Sequence, residues 1–154
     1  SERTYQMLSQ VSGRAGRGNI KGDVIIQTFN PDNYSIELSK THNYVDFFNK
    51  EIKIRKDLKY PPYYFISLIK IGSKDYNLSL SESKKIANYI KENISEDMIV
   101  LGPSVSGVSR VNKIYYFQII IKFRNKEKMR EILNNVSDLE NNNKVSISID
   151  INPC

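Results

Sequence analysis

Tryptophan is absent from this 154-residue chain, and cysteine and histidine occur once each. A single thiol, Cys154, excludes an internal disulfide and a cysteine-built zinc site. His42 has no partners at metal-ligand spacing, so it reads as a structural or surface residue. No apolar run approaches the ~20 residues that cross a bilayer, and no signal peptide opens the chain. No Ser/His/Asp set and no close carboxylate pair stands out. There is no charge block either. The net charge of +6 divides at Pro62 into ten Lys/Arg against seven Asp/Glu before it and thirteen against ten after it. That mild, even excess permits nucleic-acid binding without demanding it. These absences leave a globular, cytoplasmic protein long enough for one domain or one domain plus part of another.

What is present centres on Gln10-Val11-Ser12-Gly13-Arg14-Ala15-Gly16-Arg17-Gly18. Arg14 and Arg17 are three apart and interleaved with glycine. Guanidinium groups bind phosphate oxygens in a planar, two-pronged manner and stay charged at any working pH. Glycine lets the backbone approach a ligand closely. The stretch lacks the Lys-Ser/Thr ending of a Walker A loop. It has the character of the other half of an ATP site, which offers arginine fingers to a γ-phosphate held elsewhere.

Upstream, Tyr5, Leu8 and Val11 follow helical spacing. Val24 to Phe29 is a short β-branched run, expected as a strand buried in a parallel sheet. Asn30 to Asn33 is a turn. Helices are expected over Tyr34–Lys40 and Tyr44–Leu58, the second with Tyr44, Phe47, Phe48, Ile54 and Leu58 near one face. Lys50, Lys53, Lys56 and Lys59 recur every three residues as a basic stripe, either a solvated face or a contact for DNA phosphates. Tyr60-Pro61-Pro62 stops the helix and sets a domain boundary, giving domains 1–60 and 61–154.

Beyond it the period changes to two. Phe65, Ser67, Ile69 and Ile71 share one face of a strand, and Tyr64, Ile66, Leu68 and Lys70 the other. Asp75 to Asn93 is a helix that buries Leu78, Ile86, Ala87, Tyr89 and Ile90. A second strand runs from Met98 to about Val111, Asn112-Lys113 turns, and Tyr115 to Phe123 alternates without a break. Lys126 to Val136 carries Met129, Ile132, Leu133 and Val136 at helical spacing. Asn141 to Asn143 is a turn, and Val145 to Ile151 is a half-exposed strand. The order β-α-β-β-α-β is that of the split-βαβ, ferredoxin-like arrangement, an α+β domain. At the hairpin, Arg110, Lys113 and Tyr116 form a candidate DNA contact, because cations hold phosphates and an aromatic stacks on a base. Tyr115 lies on the core alternation and is expected to be buried.

Gln10 to Gly18 resembles motif VI of superfamily 2 helicases. Glu2-Arg3-Thr4, Gly22 to Asp32, Glu51-Ile52 with Ile54-Arg55, Tyr60-Pro61-Pro62 and Leu101-Gly102-Pro103 extend the resemblance to one family, the bacterial replication-restart helicases PriA, or primosomal protein N-prime. The likeness is strong over 2–62 and thinner beyond. It implies the tail of a RecA-like helicase lobe followed by a domain similar to ribosomal protein S10, and a chain cut from the C-terminal part of a longer protein. It implies catalytic roles for Arg14 and Arg17 and nucleotide binding by Gln10, Gly13 and Gly16. ATP and Mg2+ would serve the parent, and zinc a segment upstream of motif VI. Forked and single-stranded DNA, single-stranded DNA-binding protein and other primosome proteins are the implied partners, with a place near the nucleoid. This stretch alone is expected to lack ATPase activity and to carry a mobile Gly13–Gly18 loop. Two alternatives stand beside this reading: a protein-interaction platform that never touches DNA, and another superfamily 2 helicase.

Overall fold

The computed structural model describes residues 1–15, 22–138 and 144–153. The chain divides into two compact units, Ser1–Leu58 and Lys59–Cys154.

The first unit is helical: α1 (Glu2–Ser12), α2 (Tyr34–Lys40) and α3 (Tyr44–Asp57). Asparagine side chains start the second and third. Asn33 accepts the Ser35 N–H at 2.9 Å and Asn43 accepts the Asp46 N–H at 3.1 Å, each satisfying a donor the helix leaves open. An aromatic stack joins the helices. Tyr5 of α1 lies 4.1 Å from Phe47 of α3 with the rings near parallel, and Tyr34 of α2 lies 5.9 Å from Phe47. The expected face of α3 is only partly the buried one. Phe47 and Glu51 are buried, whereas Tyr44, Phe48 and Leu58 are exposed. The buried pair is spaced i, i+4, which puts both side chains over one stripe toward α1 and α2.

Val24 to Phe29 is not a strand: Ile25 and Phe29 are fully exposed and no ladder forms. A strand is stable only beside another strand, and among the described residues this unit holds none.

The second unit is a four-stranded antiparallel sheet with two helices. Its elements are β1 (Phe65–Ser73), α4 (Tyr76–Asn93), β2 (Ile99–Val111), β3 (Ile114–Phe123), α5 (Lys126–Asp138) and β4 (Val145–Ile151). Strand order is β2-β3-β1-β4, the ferredoxin-like arrangement. The register pairs Ile69 with Ile119 and Ile149, and Ile71 with Phe117 and Ile147. The alternation therefore puts one apolar row per strand against the helices. Ile69, Ile71, Ile119 and Ile121 meet Ile90 of α4 and Val136 of α5, all at 0% exposure. Each such side chain contributes about 1.5–3 kcal/mol relative to exposure.

On α4 the buried set is Ser79, Ser83, Ile86, Ala87 and Ile90, while Leu78 and Tyr89 are half-buried. Small residues seat the helix close to the sheet. The Ser79 Oγ donates to the carbonyls of Ile71 and Tyr115 at 3.1 and 3.0 Å. Leu78 and Tyr89 are pushed to the margin of the contact. Gly102, at φ +105, allows a turn in β2 that a side chain would block, since a Cβ there would come 2.7 Å from the Gln118 carbonyl. The turn Asn141–Asn143 lies outside the described residues.

Candidate functional site

Helix α1 delivers the arginine-bearing stretch. Its last turn closes with the Gly13 N–H on the Ser9 carbonyl and the Arg14 N–H on the Val11 carbonyl, both at 3.1 Å. Gln10, Gly13 and Arg14 are exposed together at this end. A helix C-terminus presents carbonyl oxygens and partial negative charge. This end therefore offers an anion no outward helix amides, only the exposed Arg14 guanidinium among the described residues. Gly16 and Arg17 lie outside the described residues, as does the second half of the expected Gly13–Gly18 loop.

The other end of α1 is clamped by a carboxylate. Glu51 accepts hydrogen bonds from the Tyr34 hydroxyl, from Ser1 Oγ at 2.7 Å and from Arg55 Nε at 2.8 Å. Arg55 also reaches Glu2 at 2.7 Å. Burial works to raise the Glu51 pKa, but the bonds from Tyr34, Ser1 and Arg55 outweigh it and hold the carboxyl below the ordinary glutamate range. Burial and the neighbouring carboxylate push the Tyr34 hydroxyl the other way, upward. Sequence reasoning did not assign this cluster a role. Its members come from residues 1–2, 34 and 51–55, and no local pattern connects those three segments.

The basic stripe is shorter than its spacing suggests. Lys53 and Lys56 are exposed on α3, and Lys50 sits 5.3 Å from the Tyr34 ring. Lys59 is not on the helix, which ends at Asp57. It has φ 55, belongs to the second unit and approaches the Tyr64 ring.

The three hairpin candidates do not converge. Asn112 and Lys113 have φ 50 and 66, the left-handed pair of a type I′ turn, and Lys113 is exposed at its tip. Arg110 pairs across the strands with Tyr115, its guanidinium 4.9 Å from that ring. Tyr115 is half-buried rather than buried, with its ring edge-on to Tyr76 at 5.6 Å. Tyr116 points to the opposite face, where its ring lies over Gly72. A Cβ there would come 2.6 Å from the ring.

That opposite face carries no helix. Gly72 pairs with Tyr116 and Ser146, and Lys70 with Gln118 and Ser148. Lys70, Tyr116, Gln118, Ser146 and Ser148, with Leu68 and Val111, line an open groove of about 700 Å³. Lys122 is largely buried, its amine 3.7 Å above the Tyr60 ring. Lys70 and Gln118 were not among the predicted contacts. The two-residue period does place Lys70 off the core, but only the sheet order sets it beside Gln118. Among the described residues no group of three His, Cys, Asp or Glu is placed to hold a metal ion. No helix among them is long and apolar enough to cross a membrane.

The family described as "Primosomal protein N C-terminal domain" matches residues 56–154, more than half of the chain. The chain belongs to the PriA family. Its similarity to "Replication restart protein PriA" of Bacillus subtilis is 39% identity over 158 residues, covering 99% of this chain and 20% of that protein. The Synechocystis protein of the same name is 36% identical over 80% of this chain and 15% of its own length. That of Borreliella burgdorferi is 31% identical over 99% and 23%. The chain thus spans about a fifth of the curated PriA proteins it matches.

Proposed function

We propose that this chain is part of an ATP-dependent 3′-to-5′ DNA helicase that recognises stalled replication forks and D-loops and directs primosome assembly. The supporting observation is the alignment of 99% of the chain with a replication restart protein. In this reading residues 1–60 are the tail of a RecA-like lobe and 61–154 the C-terminal domain. Arg14 and Arg17 offset charge on the γ-phosphate of ATP, with Gln10, Gly13 and Gly16 shaping the nucleotide side. Mg2+ would neutralise phosphate charge from the other lobe of the parent, and zinc would belong to an upstream segment. The chain alone has no ATPase activity. The work proceeds in the cytoplasm, with single-stranded DNA-binding protein and primosome proteins as partners.

DNA contact falls to Lys113 at the hairpin tip, to Arg110 and Tyr116 beside it, and to Lys53 and Lys56 on α3. The test is binding of a labelled forked DNA across a salt series. Phosphate contacts from these four cations give a slope of log K against log salt of about −3 to −4. An Arg110→Glu/Lys113→Glu double variant should weaken binding and flatten the slope by about two units. Salt-independent binding, or none, would remove the DNA role. A second reading, a partner platform without DNA contact, is favoured by one observation: Arg110 and Lys122 are both stacked on the domain's own tyrosines.

A further inference from the structure

The helix-free face of the sheet carries a polar row that spans all four strands. Ser104 pairs with Gln118, Gln118 with Lys70, and Lys70 with Ser148. Directly paired residues of an antiparallel sheet share a face, so this row stands opposite the apolar rows that meet α4 and α5. Lys70 and Ser148 are exposed and Gln118 is half-buried. Among the described residues their side chains hold no hydrogen bond or ion pair, which leaves an amine, a hydroxyl and a carboxamide available to a ligand.

The neighbouring row is aromatic. The half-buried Tyr116 ring lies across Gly72 and lines the same groove as Lys70 and Gln118. A glycine makes that placement possible: a Cβ at position 72 would also come 2.9 Å from Ser146 Oγ. No acidic residue is among the described lining of the groove. Asp150 stands one row away on the other side, paired with Leu68. Ser146 also lines a second open cavity, of about 740 Å³, where Lys74 and Lys144 are exposed. The acid there, Asp75, already accepts the amides of Asn77 and Leu78.

We infer that this face is a single-stranded DNA site in which a base stacks on Tyr116 and turns its edge to Gln118 and Lys70, while adjoining phosphates lie on Lys74 and Lys144. The site rests on the DNA contact proposed above and deepens it: bases are bound here, not only phosphates. A carboxamide presents a donor and an acceptor side by side, and the amine beside it adds further donors, the set that base edges satisfy. A base in a duplex has both faces stacked and its pairing edge occupied, so the occupant is unpaired. A protein partner is the poorer fit. The centre of a protein interface is depleted in charge, whereas the centre of this groove is lysine, glutamine and serine.

The test is fluorescence anisotropy of a labelled single strand of about 12 nucleotides with the 154-residue chain, beside the same strand built from abasic sites. The abasic strand keeps every phosphate and needs no change to the protein. It should bind at least about tenfold more weakly. Tyr116→Ala and Gln118→Leu should each cost the intact strand about tenfold and leave the salt slope unchanged, because neither removes a charge. Lys74→Gln/Lys144→Gln should flatten that slope by about 1.4 units, at roughly 0.7 for each phosphate contact of a single strand. Equal affinity for intact and abasic strands would overturn the base site, as would no binding of the single strand. The two DNA contacts fail separately. Fork binding that still depends on Arg110 and Lys113, beside equal affinity for the two strands, sinks the base site and keeps the hairpin. Base-dependent binding of the single strand, with a fork indifferent to Arg110→Glu/Lys113→Glu, keeps the base site and sinks the hairpin.

Discussion

Replacing Glu51 with glutamine tests whether charge or shape holds α1 in place. The substitution keeps volume and a carbonyl oxygen but removes the negative charge. Glu51 has an 11% exposed side chain, and Arg55 is 30% exposed, so solvent screening is limited but present. Three donors converge on the carboxylate: Tyr34, Ser1 and Arg55. Bonds to a charged acceptor contribute about 1.5–3 kcal/mol each, roughly twice a neutral bond. Glutamine retains part of that for at most two donors, and Arg55 keeps Glu2. The net loss at neutral pH is about 2 kcal/mol, short of the ~3–5 kcal/mol for breaking a fully buried pair.

Urea unfolding, followed by the exchange of α3 amide protons, reads this out. The pH dependence supplies the discriminating result. Because the folded-state pKa of Glu51 is depressed, its contribution is fully present above the ordinary glutamate value of about 4.3. It is lost as pH falls through the lower, folded-state value. Wild type and Glu51→Gln should differ at neutral pH and converge in acid, where both side chains are neutral. A difference that stays constant with pH would refute the electrostatic account and leave only packing.

Three further outcomes follow from the second unit. Ile119→Ala, at 0% exposure, should cost about 2–5 kcal/mol in chemical denaturation, because the sheet and both helices cannot close over the cavity. Asp75 accepts the N–H groups of Asn77 and Leu78 at 2.8 and 3.2 Å, so Asp75→Ala should lower stability by about 1 kcal/mol, with early exchange at the start of α4. Lys113→Gly should raise the melting temperature, because relief of a left-handed backbone at φ 66 gains about 1 kcal/mol. The same variant should weaken fork binding and flatten its salt slope by about one unit.

Much of the second unit was legible in the chain because its signals are local. Two-residue alternation in Tyr115–Phe123 and 3.6-residue spacing at Met129, Ile132, Leu133 and Val136 each state which face is buried. The order of such elements then leaves few ways to cover them. The caps are local as well, since Asn33, Asn43 and Asp75 act on amides two or three residues away, although the sequence reading assigned none of them. Val24–Phe29 shows the limit. Its composition is that of a strand, but a ladder needs a second strand, and the residues' own pattern cannot supply one.

The sequence by itself therefore determined the elements of the second unit, most of their buried faces, and the family. Those follow from periodicity and from motifs read along a few consecutive residues. Tertiary structure alone decided what the polar groups do. Arg110 lies on Tyr115, Lys122 over Tyr60, and Tyr116 across Gly72, while Arg55 ties Glu2 to Glu51. Each of these contacts depends on strand register, sheet order or helix packing. A cation's reach is only a few ångströms, so which ring or carboxylate it meets is settled when distant segments come together.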